Sequence, residues 1–327
     1  MKKERVIFIL DNRSIYEVDA ADNDLKVKKL LLSNPIRLDR FITFQTDELV
    51  NQLGVEGVGK VDILDIECLD KQIRQSINMP VSQGKWDVAN MIATYLGKKE
   101  RKWQEEEYED FLKELTLCYR KMKELGKEEW TRIEEIEIPV NKILYEAQAR
   151  GVYFDHAEVE PICRELHKEL YEFKNKIQLE LGYCGDDIIS YLNKNGIEHN
   201  LHELASDTEI KDVCKQHPAL EPFWKVKVKE RNLRCLLLLS AIGRGQNICR
   251  PLYKGFASST GRIFLREPAL QNISKKFRKL LKEELDDDWR YEYIDFGQFE
   301  AGILAGLTNN ERLQRLYEED KIYEYGI

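Results

Sequence analysis

Tyr291-Glu292-Tyr293-Ile294-Asp295-Phe296-Gly297-Gln298-Phe299-Glu300, near the end of a 327-residue chain, is the stretch on which the reading turns. Aromatic and apolar residues lead up to a single carboxylate. The pattern predicts a short strand ending at Asp295, followed at once by an amphipathic helix. A carboxylate presented at a strand end is a hard oxygen donor of the kind Mg²⁺ takes. Phosphoryl-transfer centres clamp two such ions between carboxylates. The sequence supplies one carboxylate of this form before it stops at Ile327.

Upstream lie two short motifs, Thr260-Gly261-Arg262-Ile263 and Pro268-Ala269-Leu270-Gln271-Asn272-Ile273. Each is unspecific alone. They sit in a stretch of concentrated positive charge, since Arg262–Lys282 holds seven basic residues against one acidic residue, Glu267. A second basic stretch, Lys225–Arg234, holds five against Glu230. The net charge of −8 argues against nucleic acid if taken globally. Its distribution fits a phosphate-tracking groove on an acidic body. Ordinary solvated helix surface is the competing reading of both stretches.

The remaining chain divides by texture. Val6–Leu10 and Ser14–Val18 flank Asp11-Asn12-Arg13 and predict a β-hairpin, with mixed short elements following to about Leu69. A helical stripe runs through Arg101–Leu125 (Phe111, Leu112, Leu115, Tyr119, Met122), with Gly126 to close it. A helix from about Glu128 to Arg150 should kink at Pro139. Val152-Tyr153-Phe154 is a short extended link. Asp155 is a good N-cap for a helix with apolar steps from Val159 to Leu181, ended by Gly182. At roughly 40 Å this helix suggests a protruding arm. A coiled-coil interaction module is the non-enzymatic alternative for it. Ser206-Asp207-Thr208-Glu209 forms a capping box, His217-Pro218 breaks the helix it starts, and Leu220–Ile242 is helical again. From Gly243 onward the texture is mixed α/β.

Hydrophobic content of 43% supports real cores, and a charged content of 34% suits long solvated helices. No run of 18 apolar residues occurs, so no helical membrane span is predicted. Seven cysteines without a C-x-x-C pair read as reduced thiols of a cytoplasmic protein in a bacterial or phage-infected cell. His199 and His202 lack a third ligand nearby and read as surface residues.

Taken in order, T-G-R, L-Q-N-I and the Asp295 segment resemble family A DNA polymerases, the DNA polymerase I type. There a T-G-R-L-S-S-x-x-P-N-L-Q-N-I-P stretch precedes the first catalytic motif, D-Y-S-Q-I-E-L-R. Gly151-Val152-Tyr153-Phe154-Asp155 is similar to the family's G-V-x-x-D entry to the thumb, and Ile136-Glu137-Ile138-Pro139 to the I-E-x-P before it. The Ser206–Glu230 stretch is similar to a thumb segment, and Leu307–Ile322 follows the family's spacing beyond the motif. The likeness covers about residues 60–327 and is strongest after 130.

The resemblance implies an α+β multidomain protein. Residues 1–126 would be a shrunken 3′–5′ exonuclease-like remnant, 127–250 a helical thumb, and 251–327 the first half of a polymerase palm. Asp295 would be a catalytic Mg²⁺ carboxylate, with the backbone carbonyl of Phe296 as a further ligand. Glu300 would stand at the position that excludes a 2′-hydroxyl from the incoming deoxynucleoside triphosphate. Lys276 would meet the nucleotide's phosphates. Thr260, Gly261, Arg262, Gln271 and Asn272 would touch primer–template DNA.

Several residues depart from the family pattern. Phe264-Leu265 replace S-S, Ser274 replaces the proline, and Phe296, Gly297 and Gly302 replace the motif's tyrosine, serine and arginine. The family's fingers helix and its H-D-E motif, which brings the second metal carboxylate, do not fit into the 32 residues after Asp295. The sequence therefore predicts that this polypeptide alone does not polymerise DNA. Three readings are open: a fragment of a longer polymerase, one half of a split enzyme with a separate C-terminal half as partner, and a non-catalytic DNA-binding derivative. Asp65-Ile66-Glu67 has the exonuclease's D-x-E form, but its surroundings match the late part of that domain. Too few residues precede it for the missing strands, and the third-motif aspartate falls on Leu112. The expectation is an inactive remnant bracing the thumb.

Overall fold

The computed structural model describes residues 3–11, 14–30, 40–80, 86–183, 187–199, 201, 207–242, 247–256, 261–282, 294 and 296–323. It divides into two compact units, Met1–Lys282 and Glu283–Ile327. The first opens with a five-stranded mixed sheet of β1 (Glu4–Asp11), β2 (Ser14–Asp19), β3 (Lys28–Leu30), β4 (Arg40–Thr43) and β5 (Asp62–Asp65), in the order β3-β2-β1-β4-β5. The expected hairpin is β1 with β2, antiparallel, with Val6 opposite Val18 and Phe8 opposite Tyr16. β4 then lies parallel to β1, and β5 parallel to β4.

Strand periodicity sends alternate side chains to opposite faces. Ile7, Ile9, Phe41 and Ile63 pack on one side with Leu49 of α1 (Thr46–Val58) and Tyr145. Val6, Val18, Ile42 and Leu64 pack on the other, beneath α2 (Ile66–Ser76), α3 (Val88–Leu96) and α4 (Tyr108–Leu125). β4 and β5 are buried throughout, as parallel strands covered on both faces are. This corrects the expectation that too few residues precede Asp65 for the missing strands. Four strands of three to eight residues fit ahead of β5. Two of them carry weak signals, Lys28-Lys29-Leu30 being largely exposed and β4 beginning on a buried arginine. Arg40 is held there by a bidentate pair with Glu134, at 2.6 and 2.7 Å.

α4 begins at Tyr108, the first apolar residue of the stripe, seven residues inside the expected 101–125 span. A 3₁₀ turn at Glu105–Glu107 precedes it, where the Glu107 carboxylate accepts from the Gln104 N–H at 3.0 Å. The helix expected over 128–150 is a short α5 (Trp130–Arg132), a π turn at Ile133–Glu137 and then α6 (Ile138–Arg150). The irregularity at Pro139 takes this form because proline has no N–H to donate and its ring crowds the carbonyl four residues back.

β6 (Val152–Phe154) leads into α7 (His156–Leu181). Asp155 caps α7 by accepting from the Ala157 N–H at 2.9 Å, and Gly182 ends it at φ 74°. After α8 (Ile188–Lys194), α9 (Asp207–Gln216) and a 3₁₀ turn at Pro218–Leu220 comes α10 (Glu221–Ile242). Ser206 of the capping box lies outside the described residues. α7 is not a free arm, because it packs antiparallel along α10. Val159, Cys163 and Leu166 meet Leu236 and Leu239 at one end, and Ile177 meets Phe223 and Val226 at the other. Lys174–Glu230 (2.7 Å) and Lys229–Glu169 are ion pairs across this seam. Part of the 225–234 basic stretch is therefore neutralised internally.

β7 (Ile248–Cys249) joins β6 and β10 (Leu281–Lys282) in a three-stranded sheet, while β8 (Leu252–Lys254) and β9 (Phe264–Arg266) form a hairpin. The second unit contributes α11 (Phe299–Thr308) and α12 (Glu311–Glu318). Among the described residues, six cysteines are free and buried. Burial pushes the Cys214, Cys235 and Cys249 thiols up to about 11, so they stay protonated at neutral pH. No helix among the described residues is long and apolar enough to cross a membrane.

Candidate nucleic-acid interface

The 261–282 segment alternates anchors with charge. Ile273, Phe277 and Leu280 recur at steps of four and three and are buried with Phe154, Val159 and Leu236. The residues between them, Lys275, Lys276, Arg278 and Lys279, face solvent along a 3₁₀ stretch at Lys275–Leu280. β10 then fixes the end of the segment, with Leu281 opposite Phe154 of β6. The Asp155 N–H adds a bond to the Leu280 carbonyl at 3.3 Å. The charge is thus displayed by a pinned backbone.

Arg262 and Arg266 are exposed at the start of the segment, beside the half-exposed side chains of Ile263 (44%) and Phe264 (37%). Gln271 is exposed and donates to the Leu265 carbonyl at 2.9 Å, which sets the turn after β9. Asn272 is exposed next to it. The Lys276 ammonium lies over the Phe277 ring at 4.5 Å. Gly261 takes φ 75° against the Phe256 ring, whereas Thr260 lies outside the described residues. Gly261, Arg262, Gln271, Asn272 and Lys276 therefore lie on one segment, where all of them but the half-buried Gly261 are exposed between buried anchors. Lys282 is paired with Glu158 at 3.2 Å.

The second unit holds the other residues singled out by the sequence. Asp295 and Tyr291–Tyr293 lie outside the described residues, so the expected strand does too. Phe296 is 73% exposed and its ring sits 5.4 Å from that of Phe299. Glu300 is exposed in the first turn of α11. Gly302, where the family pattern has arginine, faces α12: a Cβ there would lie 2.5 Å from the Tyr317 ring. The glycine lets the two helices approach. Asn310 caps α12, accepting from the Arg312 and Leu313 N–H groups at 3.0 and 3.2 Å. Among the described residues no three His, Cys, Asp or Glu side chains converge to hold a metal ion.

One cluster escaped the sequence reading. Lys254 of β8 is buried, and its ammonium donates to Asp65 Oδ2 at 3.0 Å and to Thr46 Oγ1 at 3.1 Å. Asp65 is fully buried at the end of β5 and caps α2 through the Glu67 and Cys68 N–H groups. Glu67 pairs with Lys71 at 2.6 Å. Of the D-x-E at 65–67, Asp65 thus ends the last strand of the sheet and Glu67 lies in the first turn of α2, and both are already partnered. Leu112 is fully buried in the core beneath the sheet. No sequence spacing links Lys254 with Asp65, 189 positions earlier.

No family model matches the chain. DNA polymerase I of Borreliella burgdorferi is 26% identical over 206 residues, covering 58% of this chain and 22% of its own length. The thermostable DNA polymerase I of Thermus filiformis is 24% identical over 210 residues, covering 58% and 25%. DNA polymerase I of Caldicellulosiruptor bescii is 22% identical over 340 residues, covering 95% of this chain and 39% of its own. The chain is a divergent relative of the DNA polymerase I family. It spans from about a fifth to two-fifths of the polymerase I relatives named here. A solved structure, the POL domain of Pol1 from M. smegmatis in complex with DNA primer-template and dNTP, matches with a TM-score of 0.67 at 14% identity. It covers 97% of this chain and 61% of that one, so this α+β fold is that of a polymerase domain.

Proposed function

We propose that this polymerase I relative acts in template-directed DNA synthesis. In that reaction a primer 3′-hydroxyl attacks the α-phosphate of a deoxynucleoside triphosphate. Residues 1–126 would serve as a non-nucleolytic exonuclease-like brace, 127–250 as the thumb and 251–327 as the first part of the palm. The observation that carries the reading is the pinned, solvent-facing basic segment at 262–282, followed in sequence by the Asp295 motif. Exposed cations on a fixed backbone suit phosphate contacts, which hold DNA without reading its sequence. Arg262, Gln271 and Asn272 would grip primer–template, Lys276 the nucleotide, and Glu300 would stand against a ribose 2′-hydroxyl.

The metal is the weakest fit. Mg²⁺ would supply charge neutralisation at the transferring phosphate. Asp295 with the Phe296 carbonyl makes two protein ligands, and Mg²⁺ so held keeps most of its waters. A second carboxylate would have to come from outside the described residues.

The test is primer–template binding by fluorescence anisotropy across a salt series. Substituting glutamine at Lys275 and Lys279 should make the log–log salt slope shallower by about 2, at roughly 0.9 per lost phosphate contact. An unchanged slope removes the interface from 262–282. A second arm adds a polymerase I segment bearing the fingers helix and H-D-E. Extension that appears with it and vanishes in Asp295→Ala supports synthesis, and binding without chemistry in either form supports a non-catalytic DNA-binding protein.

A further inference from the structure

Strand β8 and the glycine after it are fastened to the N-terminal half of the first unit at several independent points. The Lys254 ammonium reaches Asp65 and Thr46. The Tyr253 N–H donates to Gln148 Oε1 at 3.0 Å. The Gly255 carbonyl accepts from the Cys68 thiol at 2.8 Å. Gly255 also lies so close to α6 that a Cβ would stand 2.4 Å from Asn141 Oδ1, on a side chain only 3% exposed.

The same strand carries the interface. β8 pairs with β9 in the register Leu252 opposite Arg266 and Lys254 opposite Phe264. Gln271 folds back onto Leu265 of β9. A displacement of Lys254 therefore reaches Phe264, its partner in the register, and passes along β9 to Leu265, Arg266 and the turn bearing Gln271 and Asn272. An ammonium this deeply buried is tolerable only with its carboxylate in place. Asp65 and Asp47 both act to keep it charged.

We propose that the buried Lys254–Asp65 pair is a positioning clasp for the nucleic-acid interface, fixing where the 261–272 segment meets DNA. The proposal rests on the reading of 262–282 as a DNA-binding surface. Lys254 and Asp65 touch no DNA in it. They act through the β8–β9 register.

Electrostatics give the clasp a test whose sign differs from that of its rival. Asp65→Asn removes a negative charge from the protein. If Asp65 matters only through net charge, the variant binds a polyanion as well as the parent or better. The clasp predicts the reverse. Loss of one charge-assisted phosphate contact weakens binding about tenfold, and the salt slope becomes shallower by about 0.9. Both are measured on the full chain, well below the unfolding temperature of each variant, so that a purely structural loss of stability leaves them unmoved.

Gly255→Ala is the second variant. It changes no charge and pushes β8 off Asn141, and it should weaken binding several-fold in the same assay. Affinity in both variants equal to or tighter than the parent's overturns the clasp. Should Asp65→Asn fail to fold, Gly255→Ala decides alone, and unchanged affinity there overturns the proposal. A parent chain that does not bind primer–template at all fails the reading of the interface instead, so the two failures are distinct.

Discussion

Gly151→Ala tests the junction on which the interface hangs. Gly151 ends α6, donating to the Ala147 carbonyl at 2.9 Å, and sits at φ 82°, ψ −178°. That backbone region is essentially restricted to glycine, and a side chain there costs about 1–3 kcal/mol. Space is short as well. A Cβ would lie 2.6 Å from Ile248 Cγ2, 2.8 Å from the Cys249 carbonyl oxygen and 3.1 Å from Arg250 Cγ. Overpacking of this kind adds about 1–3 kcal/mol. The expected loss is about 2–6 kcal/mol, a large share of the roughly 5–15 kcal/mol that holds a typical domain together. Urea denaturation followed by far-UV circular dichroism measures it, with the slope m checking that the transition stays two-state. Combining the substitution with Ile248→Ala separates its causes. The Cγ2 contact disappears, but the clash with a backbone carbonyl and the positive φ remain. A coupling of about 1–2 kcal/mol is therefore expected, short of full recovery. A loss below about 1 kcal/mol, or complete recovery in the double variant, would refute the argument.

Leu112→Ala should cost about 2–5 kcal/mol by calorimetry, since the side chain is fully buried. Leu112→Asp, the residue the family pattern places there, should be worse at neutral pH and should recover as the solution is acidified, because it buries an unpaired carboxylate. Asp47 gives a pH-dependent case. Burial, with Asp65 and Glu48 nearby, raises its carboxyl above the ordinary 3.8, despite the pull of Lys254 and the bond from Gln148. A raised folded value means the ionised form costs stability above it, and the cost fades as pH falls toward 3.8. Asp47→Asn should therefore be more stable than the parent at neutral pH, with an advantage that shrinks on acidification. An advantage that grows on acidification would refute the assignment.

What the sequence made legible follows the range of the interactions. The first hairpin, the Asp155 cap with Gly182 at the other end of α7, and the break at His217-Pro218 are local events, and each was readable from a few neighbouring residues. The T-G-R and L-Q-N-I stretches were singled out as motifs, and Arg262, Gln271 and Asn272 are exposed on one segment that the buried Ile273, Phe277 and Leu280 anchor. Long-range features were not legible. β3 and β4 exist because β2 and β1, respectively, supply their hydrogen-bonding edges, and Lys28-Lys29 and Arg40 do not announce strands. α7 read as an arm because of its length, while the helix that covers its apolar face comes some forty residues after it ends. The pairing of Lys254 with Asp65 is the extreme case, and only the folded chain reveals it.

That pair also shows how a motif should be judged, by what its lone pairs are already doing. The two oxygens of Asp65 accept from the Glu67 and Cys68 N–H groups at 2.8 and 3.4 Å, from the Thr46 hydroxyl at 3.2 Å and from Lys254 at 3.0 Å. A carboxylate has about four lone-pair sites, so this one is committed. Mg²⁺ demands oxygens in near-ideal octahedral array, and here it would have to displace a helix cap and an ammonium together. Stranding that ammonium, or the carboxylate, in a buried site costs about 3–5 kcal/mol. Glu67, the other half of the D-x-E, is held by Lys71. The aspartate of the motif is thus the residue that binds the sheet to β8, and through β9 to the basic segment, while Glu67 stays within α2. The contribution of Asp65 to DNA synthesis would lie in where it holds that segment.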